Sequence, residues 1–231
     1  MGTAGVSAAV LAALVAGGYL CWRYLWFFRD PPRTPPAEPG ILSPADGIVV
    51  YVRKVAPGDD VVVIKQGVHA KVGDILRQDA DSTNLVIGIF MSPFDVHFNR
   101  APLSATIEFM RHHPAFGKNA HMGAMHWRTL LNLAPHYAGS VHIVQNERTV
   151  THFVGEYRNA PLSCYVVQIG ARTVNGIDSY YGEGERVERG ATFGMIRIGS
   201  QVDLVVSGRA DLHVPVKPGD RVRAGETILL R

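Results

Sequence analysis

Charged side chains are scarce in this chain: 19% of its 231 residues are Asp, Glu, Lys or Arg, against 47% that are hydrophobic. That balance is too apolar for a wholly soluble protein and points to a membrane segment. Cysteine is rarer still. The two present, Cys21 and Cys164, fall at the end of an apolar N-terminal run and in a strand-like run. They are not expected to pair, no disulfide scaffold is indicated, and a reduced, cytoplasm-facing domain is the simpler reading. Also missing is any basic stripe with interleaved aromatics. The formal charge of +3 is scattered, so no nucleic-acid partner is expected, whereas an anionic membrane surface is compatible.

The longest absence runs from Gly2 to Trp22, which contains no charged side chain. As a helix this stretch rises about 30 Å, the thickness of a bilayer's hydrocarbon core. Arg23-Tyr24-Leu25-Trp26-Phe27-Phe28-Arg29 follows, the mixture of arginine and aromatic residues found at a membrane-water boundary. Arg23, Arg29 and Arg33 all come after the span. The positive-inside rule therefore places the following domain at the cytoplasmic side of the cell membrane. A cleaved signal peptide is the competing reading, but the sequence has no basic region before the run, which is also too long for such a peptide.

Residues 1–28 thus read as an N-terminal membrane anchor and 29–40 as a linker. Five prolines between Asp30 and Gly40 forbid helix and central strand and favour an extended spacer. Residues 41–231 read as one catalytic domain. Short β-rich runs recur there at Gly47–Val52, Val61–Lys65, Asn84–Met91, Ala105–Met110, Thr149–Val154, Cys164–Ile169, Phe193–Ile198 and Val202–Val206. The expected fold is mainly β, of the α+β class, with barrel-sandwich-like hairpins. Met122, Met125, Leu130 and Leu133 predict one helix over Lys118–Leu133. Gly184-Glu185-Arg186-Val187-Glu188-Arg189-Gly190 and Gly219-Asp220-Arg221-Val222-Arg223-Ala224-Gly225 repeat one pattern, read as two similar turns between strands.

Three stretches stand out: Ser43-Pro44-Ala45-Asp46-Gly47, Asp95-Val96-His97-Phe98-Asn99-Arg100-Ala101-Pro102 and Phe193-Gly194-Met195-Ile196-Arg197-Ile198-Gly199-Ser200. Taken singly, each has a structural explanation as turn chemistry, a core histidine or a β-bend. Taken in this order and spacing, with Phe27-Phe28-Arg29-Asp30-Pro31 before them and Asn146-Glu147-Arg148 between, they resemble the phosphatidylserine decarboxylase family. The likeness is to its short branch, found in archaea and many bacteria, and covers nearly all the chain after the anchor.

The resemblance implies a proenzyme that cuts itself between Gly199 and Ser200, giving a β chain of residues 1–199 and an α chain of 200–231. Ser200 would become a pyruvoyl group, a covalent cofactor that forms a Schiff base with the substrate amine and takes up the electrons left when carbon dioxide departs. A glycine carbonyl leaves room for the serine hydroxyl to attack, and that hydroxyl needs a base. The larger branch uses an aspartate, matched by Asp46, to orient a histidine against the serine. Its middle motif carries two histidines. The first matches His97, expected to serve decarboxylation; Arg100 stands where the second, the base for cleavage, would be. A guanidinium cannot act as a base. His97 then does both jobs, or His121 substitutes. Arg100, whose planar fork suits carboxylate or phosphate, and Asn99 beside it are the expected substrate-binding residues.

A histidine-rich stretch, His112 to His142, contains no Asp, Glu or Cys to complete a metal site, so no metal is expected. The expected partners are a membrane phospholipid carrying a serine headgroup, phosphatidylserine or archaetidylserine, and the chain's own two pieces. Edge strands also leave room for a homodimer. The rival readings are a noncatalytic, membrane-tethered lipoyl-like β module and a histidine-bound metal hydrolase.

Overall fold

The computed structural model describes residues 3–79, 82–172, 176–197, 200–209 and 211–231. Helix α1 (Thr3–Leu20) continues through Cys21–Trp26 in a wider turn, closed by the Phe27 N–H donating to the Trp22 carbonyl five residues back at 2.8 Å. The 22 residues Gly5–Trp26 are long and apolar enough to cross a membrane. Tyr24, Leu25 and Trp26 remain exposed, whereas Phe27 turns inward and is fully buried. The anchor therefore ends inside the domain.

Among the described residues the strands are β1 (Ile41–Leu42), β2 (Gly47–Val55), β3 (Asp60–Lys65), β4 (Val68–Lys71), β5 (Asn84–Met91), β6 (Phe98–Arg100), β7 (Ala105–His113), β8 (Arg148–Tyr157), β9 (Ala160–Gly170), β10 (Ile177–Ser179), β11 (Arg186–Val187), β12 (Thr192–Ile196), β13 (Ser200–Ser207), β14 (Arg221–Val222) and β15 (Ile228–Leu230). Every expected β run lies in a strand except the end of Phe193–Ile198, where β12 stops at Ile196, Arg197 is outside the strand and Ile198 lies outside the described residues. Eight strands form one antiparallel sheet in the order β11-β7-β8-β9-β13-β5-β2-β14. One face packs under the three-stranded sheet β10-β12-β6 in a core that includes Val49, Ile89, Val166, Phe193 and Val202. The other packs under the β3-β4 hairpin and three short helices, α2 (Val72–Leu76), α3 (Gly123–Leu130) and α4 (His142–Gln145), around Tyr51, Val86, Met125 and Val167. Strands buried on both faces read as continuous apolar runs rather than alternating ones.

The expected helix over Lys118–Leu133 is shorter, Gly123–Leu130. At its start, Ala120 is held extended by Asn146, whose side chain accepts from the Ala120 N–H and donates to its carbonyl. At its end Asn132 is left-handed, with φ of 51°, which stops the helix.

The linker contains no helix or strand, as its prolines require, but it is not a free tether. Arg189 donates to the carbonyls of Pro36, Glu38 and Gly40, and Arg33 pairs with both Asp46 and Glu226. The segment is a strap laid along the domain. These bonds hold the expected extended spacer against the domain.

The repeated turns occupy equivalent places. β11 and β14 lie at opposite edges of the eight-stranded sheet, and the sheet curls until the second glycines of the two repeats meet. A Cβ on Gly225, whose φ is +72°, would lie 3.6 Å from Gly190 Cα and 2.8 Å from Arg100 Cδ. Only glycine fits that seam.

Candidate active site

Ser200 opens β13, a central strand, and is the cross-strand partner of Met91 on β5 and of Gly170 on β9. Alternation sends Ser200, Val202, Leu204 and Val206 to one face and Gln201, Asp203 and Val205 to the other. The Ser200 hydroxyl is fully buried and has no hydrogen-bond partner among the described residues. Such a group costs about 1–3 kcal/mol, which marks it as a candidate for chemistry. Gly199, the expected carbonyl donor, lies outside the described residues.

His97 is presented by a tight loop after β5. The Ser92 N–H donates to Asp95 Oδ2 at 2.8 Å, and Arg221 donates to Oδ1 at 2.5 Å. Asp95, so fixed, offers its backbone carbonyl to His97 Nδ1 at 2.9 Å. A ring nitrogen facing a carbonyl must carry the proton, so Nε2 keeps its lone pair. Nε2 is buried and, among the described residues, without a partner. Burial pushes the His97 pKa down to about 4, against the opposing pull of Asp95. The imidazole is therefore neutral at pH 7 and able to take a proton. Phe27 covers it, with ring centroids 4.4 Å apart.

The sheet register brings these residues toward one another. The Ile196 N–H donates to the His97 carbonyl at 3.2 Å, and Ile196 is four residues before Ser200. Asn99 Nδ2 lies 3.9 Å from Met91 Sδ, on the strand neighbour of Ser200, and Asn99 Oδ1 accepts from Gln168 Nε2 at 2.8 Å. Gln168 stands opposite Val202. Sequence reasoning missed it, although a glutamine within Val166-Val167-Gln168-Ile169 is the kind of buried polar group that signals a site.

Asp46 is placed elsewhere than expected. Its oxygens take the Ala224 N–H at 2.7 Å and Arg33 at 2.8 Å, and no hydrogen bond joins it to a histidine. Burial holds its pKa above the ordinary aspartate value, despite those two contacts. Gly47 makes this turn possible, since a Cβ there would lie 2.1 Å from the Phe90 carbonyl oxygen. Arg100 likewise has inward duties: it donates to the Gly190 carbonyl at 3.1 Å and to Asp30 at 2.5 Å. It pins the seam where the curled sheet closes, so its fork is not free for a substrate as expected.

His121 is exposed, and Arg172 donates to its Nε2 at 3.3 Å. Its segment is nonetheless anchored beside Ser200's neighbour, because Asn146 Nδ2 also donates to the Gly170 carbonyl at 2.7 Å. On the opposite face of β13, sequence reasoning missed a buried polar chain. His142 Nε2 meets Gln201 Oε1 at 2.9 Å, and Gln201 donates to Tyr51 Oη and Asp203 Oδ1. Burial raises the Asp203 pKa to about 6 and lowers that of His142 to about 4. Its visible signal was Gln201 and Asp203 inside an otherwise apolar run. Among the described residues no three metal-ligating side chains converge.

A helix long and apolar enough to cross a membrane is strapped to a curled β domain, in which Ser200 heads a central strand and His97 is a buried, neutral imidazole. The family model for phosphatidylserine decarboxylase matches residues 21–230, and the chain belongs to that family of carboxy-lyases. It is 32% identical over 220 residues to the phosphatidylserine decarboxylase proenzyme of Chlorobium limicola, covering 95% of this chain and 84% of the relative. It is 33% identical over 210 residues to the protein of the same name from Salinibacter ruber, covering 90% and 74%. A protein of Methanopyrus kandleri, provisionally named an archaetidylserine decarboxylase proenzyme, is 34% identical over 214 residues, covering 89% and 80%.

Proposed function

We propose that the chain is a proenzyme that cuts itself at Gly199–Ser200 and then removes carbon dioxide from the serine headgroup of a membrane phospholipid. The observation that carries this is the pair of buried, partnerless atoms, Ser200 Oγ and His97 Nε2. In the first step Ser200 Oγ attacks the Gly199 carbonyl, its proton passes to His97 Nε2, and the C–N bond breaks as the amide nitrogen takes a proton. An ester remains. Elimination then passes the Ser200 Cα proton to His97, breaks the Cβ–Oγ bond, releases Gly199 as a carboxylate and leaves a dehydroalanine, which water hydrolyses to a pyruvoyl group with loss of ammonia.

A group made from Ser200 fits its surroundings, since the buried hydroxyl has no competing partner and the amides of Asn99 and Gln168 lie beside its strand neighbours. The pyruvoyl supplies a carbonyl that draws electrons from the bond being broken. His97, neutral and shielded by Phe27, holds and returns the proton that replaces the carboxylate. Asn99 and Gln168 orient the headgroup.

Cleavage would not separate the two pieces. Residues 200–231 supply β13 between β5 and β9, β14 against β2 and β15 against β1. Arg23 in the last turn of the span and Arg29 and Arg33 after it favour a cytoplasmic domain. Intact-mass measurement of the purified protein tests the reading. Two polypeptides ending and beginning at Gly199 and Ser200, the smaller lighter by one ammonia, are expected. A single intact chain, or an ordinary serine at the new N-terminus, would sink it.

A further inference from the structure

Between the end of the span and His97 lies a cleft of about 310 Å³, lined by Arg29, Arg33, Arg221 and Arg223 and by Asp95 and Val96. An apolar groove formed by Gly18, Trp22, Trp26 and Phe94 joins it, because Phe94 lines both. Phe94 is 64% exposed, at the tip of the loop that presents His97. An exposed phenylalanine beside two tryptophans at the end of a spanning helix sits where lipid glycerol and upper acyl chains lie.

The charges in the cleft do not cancel locally. Asp46 and Glu226 are both taken by Arg33, at 2.8 and 3.0 Å, and Asp95 by Arg221. Arg29 donates to the carbonyls of Trp26 and Phe94, at 2.8 and 2.6 Å, which fixes its guanidinium without neutralising it. The Arg223 side chain is 70% exposed and reaches Glu226 only at 3.5 Å. Four arginines against three carboxylates leave the wet cleft one net positive charge, with Arg29 and Arg223 the two guanidinium groups least taken up by them. A planar fork pairs with phosphate through two parallel bonds.

We propose that Arg29 and Arg223 form the phosphodiester subsite for the substrate lipid. Its acyl chains lie along Trp22, Trp26 and Phe94, and its headgroup passes Asp95 and Val96 to reach His97. This assignment rests on the decarboxylase reading above, and it gives substrate recognition to the strap and the α piece rather than to Arg100.

The test uses full-length protein in mixed micelles, with two substrates: phosphatidylserine, and water-soluble glycerophosphoserine, which lacks acyl chains. Arg223→Gln is expected to raise KM for both about ten-fold, the loss of one charge-assisted contact, while intact mass shows self-cleavage as in wild type. Arg223→Lys recovers part of the loss. Phe94→Ser raises KM for the lipid and leaves that for glycerophosphoserine in place. Arg186→Gln, an exposed arginine on β11, changes neither. Should Arg223→Gln impair processing, glycerophosphoserine binding to the uncut Ser200→Ala protein, with and without Arg223→Gln, gives the same comparison, and about ten-fold weaker binding is expected. An unchanged KM or affinity overturns the subsite. So does inorganic phosphate that competes as strongly as glycerophosphoserine, which would mark a general anion site. A wild-type protein that cuts itself but decarboxylates neither substrate defeats the decarboxylase reading instead.

Discussion

With His97 as the proposed base, the acid limb of self-cleavage would be set by how deeply that residue is buried. A histidine in water has a pKa near 6.5, whereas burial beneath Phe27 and the loop after β5 holds this one at about 4. The difference corresponds to about 3 kcal/mol in favour of the neutral ring. At pH 5.5 an ordinary histidine would be neutral in only about 9% of molecules, and one with a pKa of 4 in about 97%. Cleavage of freshly synthesised protein, followed on denaturing gels after a pH jump, is therefore expected to run at pH 5.5 nearly as fast as at pH 7.5. Its midpoint of loss lies near pH 4. Phe27→Ala opens the cover to water and moves that midpoint upward toward 6, cutting the rate at pH 5.5 several-fold while changing little at pH 7.5. A wild-type midpoint at 6.5, or a Phe27→Ala profile superimposable on the wild type, would refute the assignment of His97 as a buried base.

Three further outcomes follow from the contacts. Asp46→Ala removes the partner of Arg33 and of the Ala224 N–H, so a loss of about 2–4 kcal/mol is expected. Thermal melting should drop while cleavage still goes to completion; abolished cleavage with unchanged melting would instead restore the expected relay. Arg100→Gln breaks the pin at the sheet seam and strands Asp30, lowering Tm by several degrees. KM should be affected no more than kcat, and a selective rise in KM would return Arg100 to the substrate. His142 is buried neutral, with its folded pKa below the unfolded value. Its contribution is complete above pH 6.5 and is lost as pH falls from 6.5 toward 4, with Asp203 acting in the opposite direction below about pH 6. His97, buried neutral in the same way, adds to the loss, so melting curves of the uncut Ser200→Ala protein between pH 7.5 and 4.5 should slope downward, and His142→Gln, leaving His97 and Asp203 to offset each other, should flatten them.

Much of the architecture was legible because local rules and the fold agree. Uncharged length defined the span, turn glycines framed the repeats, and apolar runs such as Asn84–Met91 became strands buried on both faces. The helix bounds were misjudged because Asn146, distant in sequence, pulls Ala120 out of helical geometry. The strap's contacts were not legible for a related reason: proline content dictates extended backbone but not what that backbone lies against, and Arg189 supplies the partner from the far end of the chain. In the candidate site, Ser200 and His97 could be named from their surrounding stretches. Asp46 and Arg100 could not be placed, since a carboxylate or guanidinium carries no local mark of its salt-bridge partner. Gln168 and the His142–Gln201–Asp203 chain went unseen because buried polar residues betray themselves only once the sheet's two faces are known.

Phe27 belongs to the anchor by sequence and to the wall around His97 by contact. A soluble version made by trimming residues 1–28 would lose that wall, so its activity would misrepresent the native enzyme; a trim ending before Trp22 would keep it. The same junction has a mechanical meaning. If the helix spans a bilayer, a strap bonded along the domain leaves little slack for it to swing over the surface in search of headgroups. It would then act as a fixed gate, reached by lateral diffusion of the lipids themselves.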